Sequence, residues 1–161
     1  MNKNSLKETY VQHKTGNLQM NLYELYIDAP YHWHDECEFI CVTKGKCECI
    51  INGKKLEVES GQVILINPGE LHAVNSIADG RFFAIVFHPY MIFGTELNDL
   101  LSKNILFKRI YDKNAFPDKQ ILSAIFRIRS TFYNRYFGFE LIIKGLITEI
   151  FGTIYENKLY T

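Results

Sequence analysis

Along the chain the spacing of apolar positions changes character once. From about residue 18 to residue 88 the text runs in short alternating or β-branched stretches: "LYELYI", "CEFICVT", "KCECIIN", "KLEVE", "QVILIN", "HAVNSI" and "RFFAIVFH". Gly, Asn and Pro separate them, and several short strands divided by turn residues indicate a sandwich or barrel. The sharpest turn signal is Asn52-Gly53 between "CECII" and "KKLEV", because that dipeptide accepts the positive φ angles of a type I′ hairpin. A second hairpin is predicted at Lys44-Gly45. With a two-residue loop there, Val42 faces Cys47 and Ile40 faces Cys49, so both cysteines share the inward face with His34 and Glu38; a slip of one residue would reverse this.

After His88-Pro89 the pattern changes. A mixed segment, 90–115, holds one candidate strand at "ILFKRIY". Beyond Pro117-Asp118, Ile121, Ile125, Ile128 and Phe132 recur at helical spacing beside Leu122 and Phe126, which predicts a first helix. A second helix is predicted from Phe139 to Tyr155, with Ile142, Ile143, Leu146, Ile147, Ile150, Phe151 and Ile154 in its apolar stripe. That stripe is wider than docking on one sheet requires, so this helix is a candidate homodimer contact as well as an internal one.

Composition narrows the class. A chain of 161 residues, 47% apolar and 22% charged, has the makings of a single packed domain. Its expected parts are an N-terminal arm over 1–17, a β-barrel over 18–115 and a two-helix tail over 116–161. Lys plus Arg equals Asp plus Glu at 18 each, and no basic run occurs, so the electrostatic footprint of a nucleic-acid binder is missing. The polar start "MNKNSLKETYVQHKTGN" lacks an apolar signal core, and no run of 18 apolar residues follows; a cytoplasmic protein without a membrane partner is expected. Cys37, Cys41, Cys47 and Cys49 form no CxxC pair, and read as small buried apolar residues.

The candidate chemistry lies at His32, His34 and Glu38, whose even offsets put all three on one face of an extended chain. His72 opens the strand that follows the turn at Pro68-Gly69. Three imidazoles and a carboxylate from neighbouring strands, meeting at the axis of a small barrel, suit Zn, Ni, Mn, Fe or Co and leave coordination positions open. The same four groups, with Ile40 and Cys49 beside them, could instead line a pocket for an organic effector, the carboxylate being satisfied by a shared proton. Elsewhere plain roles are expected. His13 is solvated, His88 ends a strand, Trp33 covers the opposite face, and Arg127, Arg129 and Arg135 form a solvated helix face.

Written as HxHx3Ex6G (His32, His34, Glu38, Gly45) and PGxxH (Pro68, Gly69, His72), these stretches resemble the two motifs of the cupin superfamily. In detail, residues 30–89 resemble the N-terminal arm of AraC-type transcription regulators. The resemblance implies a mainly β fold: a cupin-type double-stranded β-helix, or jelly-roll, followed by two C-terminal α-helices. It implies His32, His34, Glu38 and His72 at the metal positions of metal-bearing cupins. It further implies a ligand-sensing and dimerisation domain rather than an enzyme, with a small-molecule effector and a second copy as partners. DNA would be reached only through a domain outside these 161 residues. The alternative is a free-standing metal-dependent cupin enzyme, an oxygenase or isomerase, with Tyr23 or Glu24 as candidate acid or base. The sequence departs from the cupin pattern at Tyr26 (glycine expected), Asn67 (proline) and Ser76 (asparagine, present instead at Asn75), departures that bear on loop geometry more than on the ligand set.

Overall fold

The computed structural model of the chain describes residues 7, 18–25, 28–91 and 107–161. His13, Tyr26 and the predicted arm apart from Lys7 lie outside the described residues. Seven strands come first: β1 (Met20–Leu25), β2 (Ala29–His32), β3 (Cys37–Ile51), β4 (Lys54–Glu59), β5 (Gln62–Ile66), β6 (His72–Phe87) and β7 (Ile110–Asp112). Two helices follow, α1 (Asp118–Asn134) and α2 (Phe139–Glu156).

The architecture follows from β3 and β6. They pair antiparallel along their whole length, from Cys37↔Phe87 to Ile51↔His72, and both are interrupted midway. Their outer neighbours change at that point. The stretch of β3 before the interruption pairs with β5, which carries β7, and the facing half of β6 pairs with β1. The later half of β3 pairs with β4, and the facing half of β6 with β2. Side chains from both halves, including Ile40, Val42, Cys47, Cys49, Val74 and Phe82, pack into one buried cluster. The halves therefore face each other as the two sheets of a jelly-roll, and this cluster is the barrel interior.

The hairpin expected at Lys44-Gly45 does not form. Because β6 runs beside both "CEFICVT" and "KCECII", the chain gains more by continuing along it than by turning back. The extra residue of β3 falls between Val42 and Lys44, and two extra residues of β6 fall between Lys44 and Lys46, where Gly45, at φ +60°, lies against Ala78 and Asp79, themselves at φ 46° and 58°. The inward residues are thus 38, 40 and 42 before the bulge and 47, 49 and 51 after it. Cys47 and Cys49 face inward as predicted, but across from Ser76 and Val74 of β6 and not from Val42 and Ile40, which pair with Phe82 and Ala84. Asn52 (φ 48°) and Gly53 (φ 81°) adopt the predicted type I′ turn.

The other face of the first sheet carries Phe39, Cys41, Leu65, Phe83 and Ile85, and both helices bury their stripes against it. Ile147 and Ile150 of α2 are covered by that sheet and by α1, so the breadth of the stripe is met within the chain. A dimer seam through Ile147 is thereby excluded, since no surface remains there to share. Of the exposed large apolar residues, Tyr133, Tyr136, Phe137 and Leu141 lie together around the α1–α2 turn. Arg129 also departs from expectation. Its Nε donates to Glu24 Oε1 at 2.6 Å, and its guanidinium lies 5.0 Å from the centre of the Phe83 ring, which ties α1 to β1. All four cysteines are free and buried. Among the described residues, no helix is long and apolar enough to cross a membrane.

Candidate metal centre

Each of the four groups reaches the centre for a backbone reason. His32 ends β2 and is the register partner of His72, which opens β6, so both side chains leave the same face of one sheet. Glu38 projects inward from the first half of β3, on the facing sheet, two residues before Ile40. His34 lies in the β2–β3 link, where its carbonyl accepts the Gly69 N–H at 2.8 Å. The ligand atoms of His32, His34, Glu38 and His72 all fall within 4.8 Å of one another. Trp33, between the two histidines, instead lies under the Lys7 ammonium, 4.8 Å from its ring centre.

The outer nitrogens fix what the rings present inward. Each Nδ1 meets a backbone carbonyl: His32 that of Pro30 at 2.7 Å, His34 that of Glu36 at 3.2 Å, and His72 that of Glu70 at 2.8 Å. A carbonyl only accepts, so each Nδ1 carries a hydrogen and the neutral ring presents Nε2 as its lone pair. Two of these nitrogens approach the same carboxylate oxygen, His34 Nε2 at 3.1 Å and His72 Nε2 at 3.0 Å from Glu38 Oε2. Lone pairs set this close repel unless a proton or a cation lies among them. Ligands held about 2.1 Å from one ion at right angles sit roughly 3.0 Å apart, and outer nitrogens bound to carbonyls are the usual second layer of a metal-bound histidine. The residues fit a divalent transition metal.

Protons compete for the same place. Burial by itself would raise the Glu38 carboxyl, but hydrogen bonds from His34 and His72 outweigh it and hold the group well below the usual carboxylate range. Burial opposes charging of His72, yet the hydrogen bond and the charge of Glu38 prevail and move it upward. Without a metal, both shifts act in the direction of His72 imidazolium against Glu38 carboxylate.

The centre is largely buried. His34, Glu38 and His72 are 2%, 5% and 1% exposed, with the partly exposed His32 at the rim. Below it the interior is filled by apolar side chains. The predicted pocket residues Ile40 and Cys49 point inward but are fully buried in that packing. Of the candidate acids and bases, Glu24 lies in register with Phe83 on the helix-covered face and is held by Arg129 and by Tyr133 Oη, which donates at 3.0 Å. Tyr23 is the register partner of Ala84.

Two contributors escaped the sequence reading. Glu70, inside "PGELH", forms a two-pronged ion pair with Arg109, at 2.6 Å to Nη1 and 2.8 Å to Nη2. It also accepts the Asn67 N–H at 2.8 Å. Proline, the residue of the cupin pattern at position 67, has no N–H for that bond. The departure from the pattern thus has a use, and Asn67 could have signalled it. The partner Arg109, 39 residues away in sequence, could not have been read from spacing.

The family model described as "AraC-like ligand binding domain" matches residues 26–127. The chain is 26% identical to the uncharacterized HTH-type transcriptional regulator YdeC of Bacillus subtilis (strain 168) over 167 residues, which cover 95% of this chain and 57% of that protein. The chain thus spans little more than half the length of this curated relative. Among solved structures it is similar to a cupin protein from Bacteroides fragilis (23% identity, TM-score 0.39, 47% of this chain and 67% of that one). A predicted oxalate decarboxylase from Thermotoga maritima also aligns (22% identity, TM-score 0.38, 43% and 64%).

Proposed function

The chain belongs to the family of AraC-like ligand-binding domains, and from that premise we propose that it is the sensing and dimerisation domain of an AraC-type transcription regulator, with His32, His34, Glu38 and His72 as its effector site. The observation that carries this reading is the convergence of imidazole lone pairs on a buried carboxylate while the outer nitrogens are held by carbonyls. A divalent transition ion, or a small ligand bound through one, is the effector that suits such a centre. When bound, the ion supplies a positive charge and Lewis acidity. His32 and His72 would hold it from one sheet and Glu38 from the other, so occupancy would draw the two sheets together. Because such an ion binds the native state, it would also stabilise the fold, by about 2.7 kcal/mol at a hundred times its dissociation constant.

In this reading residues 18–115 sense and residues 116–161 transmit and dimerise, in the cytoplasm, with DNA reached through a domain outside this chain. Dimerisation would use the exposed apolar residues of the α1–α2 turn. The enzyme alternative has less support, because its candidate base Glu24 lies on the helix-covered face, held by Arg129. The inward thiols are pushed up by burial, Cys47 to about 11 and Cys49 to about 12.

Metal analysis of the purified chain and of His34→Ala tests the site. The wild type should carry close to one equivalent of a divalent transition metal, and the variant should lose nearly all of it. Equal metal content in both would exclude this centre.

A further inference from the structure

The residues that hold His72 also hold the helices. Glu70 presents its carbonyl to His72 Nδ1, and its carboxylate takes both prongs of Arg109. Arg109 is in turn fixed to β5, donating from Nη1 to the Leu65 carbonyl at 2.7 Å and accepting the Leu65 N–H at 3.1 Å. Its neighbours reach both ends of the helical pair. The Lys108 N–H donates to the Leu159 carbonyl, beyond α2, at 2.7 Å, and Lys108 Nζ donates to Asp118, the first residue of α1, at 2.6 Å. Asp118 also accepts the Asp112 N–H at 2.9 Å.

We propose that Arg109, acting through Glu70, is the positioning residue that aims His72 into the centre, and that this pair links occupancy of the centre to β7 and to the flanks of the helical pair. The inference rests on the metal reading above. An arginine suits the task because its planar fork fixes both the distance and the orientation of a carboxylate, which a lysine ammonium does not. The Glu70 backbone is then held from three sides: by its own carboxylate on Arg109, by that carboxylate on the Asn67 N–H, and by its N–H on the Asn67 carbonyl at 3.2 Å. The carbonyl facing His72 inherits that rigidity. Pulling His72 toward an ion would load the same connection in reverse, through Glu70 to Arg109 and so to the segment 108–112 that anchors Asp118 and Leu159.

The test uses cobalt(II) as the probe, on the full chain. Affinity is read by chelator competition, ligand geometry by the visible absorption of bound cobalt, and coupling by hydrogen exchange of residues 107–112 and 157–160 with and without the ion. Arg109→Met should weaken binding by about 10- to 100-fold, as disturbed second-layer contacts do, change the cobalt spectrum, and abolish the metal-dependent protection. Arg109→Lys should recover part of the affinity. Arg129→Met, which removes a comparable ion pair on the helix-covered face, should cost stability and leave affinity and spectrum unchanged. A folded Arg109→Met that binds cobalt with wild-type affinity, spectrum and protection overturns the inference while leaving the site reading intact. If Arg109→Met does not fold, Arg109→Lys and Glu70→Gln decide: an altered spectrum with reduced affinity supports the link, and wild-type values overturn it. A wild type that binds no cobalt removes the site reading, and the inference with it.

Discussion

Replacing Gly45 by alanine should damage this protein more than replacing any turn glycine, and by an amount that can be worked out. Gly45 sits at φ +60° in the irregular stretch of β3, and a Cβ there would fall inside contact distance of the Ala78 carbonyl oxygen and lie 2.7 Å from the Asp79 oxygen. Both obstacles are backbone of β6, which cannot swing aside as a side chain can. The left-handed conformation costs an alanine about 1–2 kcal/mol, offset by about 0.4–1 kcal/mol because alanine also restricts the unfolded chain. Forcing two paired strands apart adds about 1–3 kcal/mol, as overpacking generally does. The total for Gly45→Ala is about 1–5 kcal/mol. Gly53→Ala is the control, with φ +81° and nothing within 4 Å of its added Cβ, so it meets only the conformational part, about 1 kcal/mol or less. Urea unfolding followed by circular dichroism, with the two slopes compared, measures the difference. Alkylation gives a second reading, since Cys47 and Cys49 are buried in the wild type and would turn outward if the second half of β3 slipped by one residue. Equal destabilisation by the two substitutions would refute the account, because it would mean that β6 does not constrain the bulge.

Other expectations concern the site and the helices. In the metal-free protein the depressed Glu38 contributes stability that is lost as pH falls through its folded value, whereas the raised His72 contributes stability that is complete below about pH 6.5 and lost as pH rises through its own folded value. Metal-free stability should therefore decline above about pH 6.5 while the stabilisation conferred by added metal grows; a metal increment that does not depend on pH over this range would contradict proton–metal competition. Ile147→Glu should prevent folding, since Ile147 has no exposed surface. Leu141→Glu, at a residue 74% exposed, should leave the fold intact and yield monomers by light scattering; a stable dimer in that variant would place the seam elsewhere. An antibody to this domain should detect an endogenous band larger than 18.8 kDa by a DNA-binding part, and a band at 18.8 kDa would turn attention to the free-standing enzyme.

Period and turn chemistry in the sequence were enough to determine most strand segments, the Asn52-Gly53 turn and both helices. These are local properties: alternation of two, helical repeats and left-handed φ preference are all decided by residues a few positions apart. Spacing also singled out His32, His34 and Glu38, but they meet from β2, the β2–β3 link and β3 on the facing sheet, not from one face of one extended strand. The two motifs also marked His72 as the fourth member of the centre. Tertiary structure alone decided that "CEFICVT" and "KCECII" are one strand, because β6 lies beside both and no local signal at Lys44-Gly45 distinguishes a bulge from a turn. It alone decided that the broad stripe of α2 is covered by a sheet and α1 rather than by a second copy, and that Arg129 holds Glu24 rather than facing solvent. The Arg109–Glu70 pair belongs to the same class. A two-pronged ion pair between the residue just before β7 and a loop 39 residues earlier depends on where the chain returns, and that is set by the packing of the whole barrel, not by the spacing of residues along it.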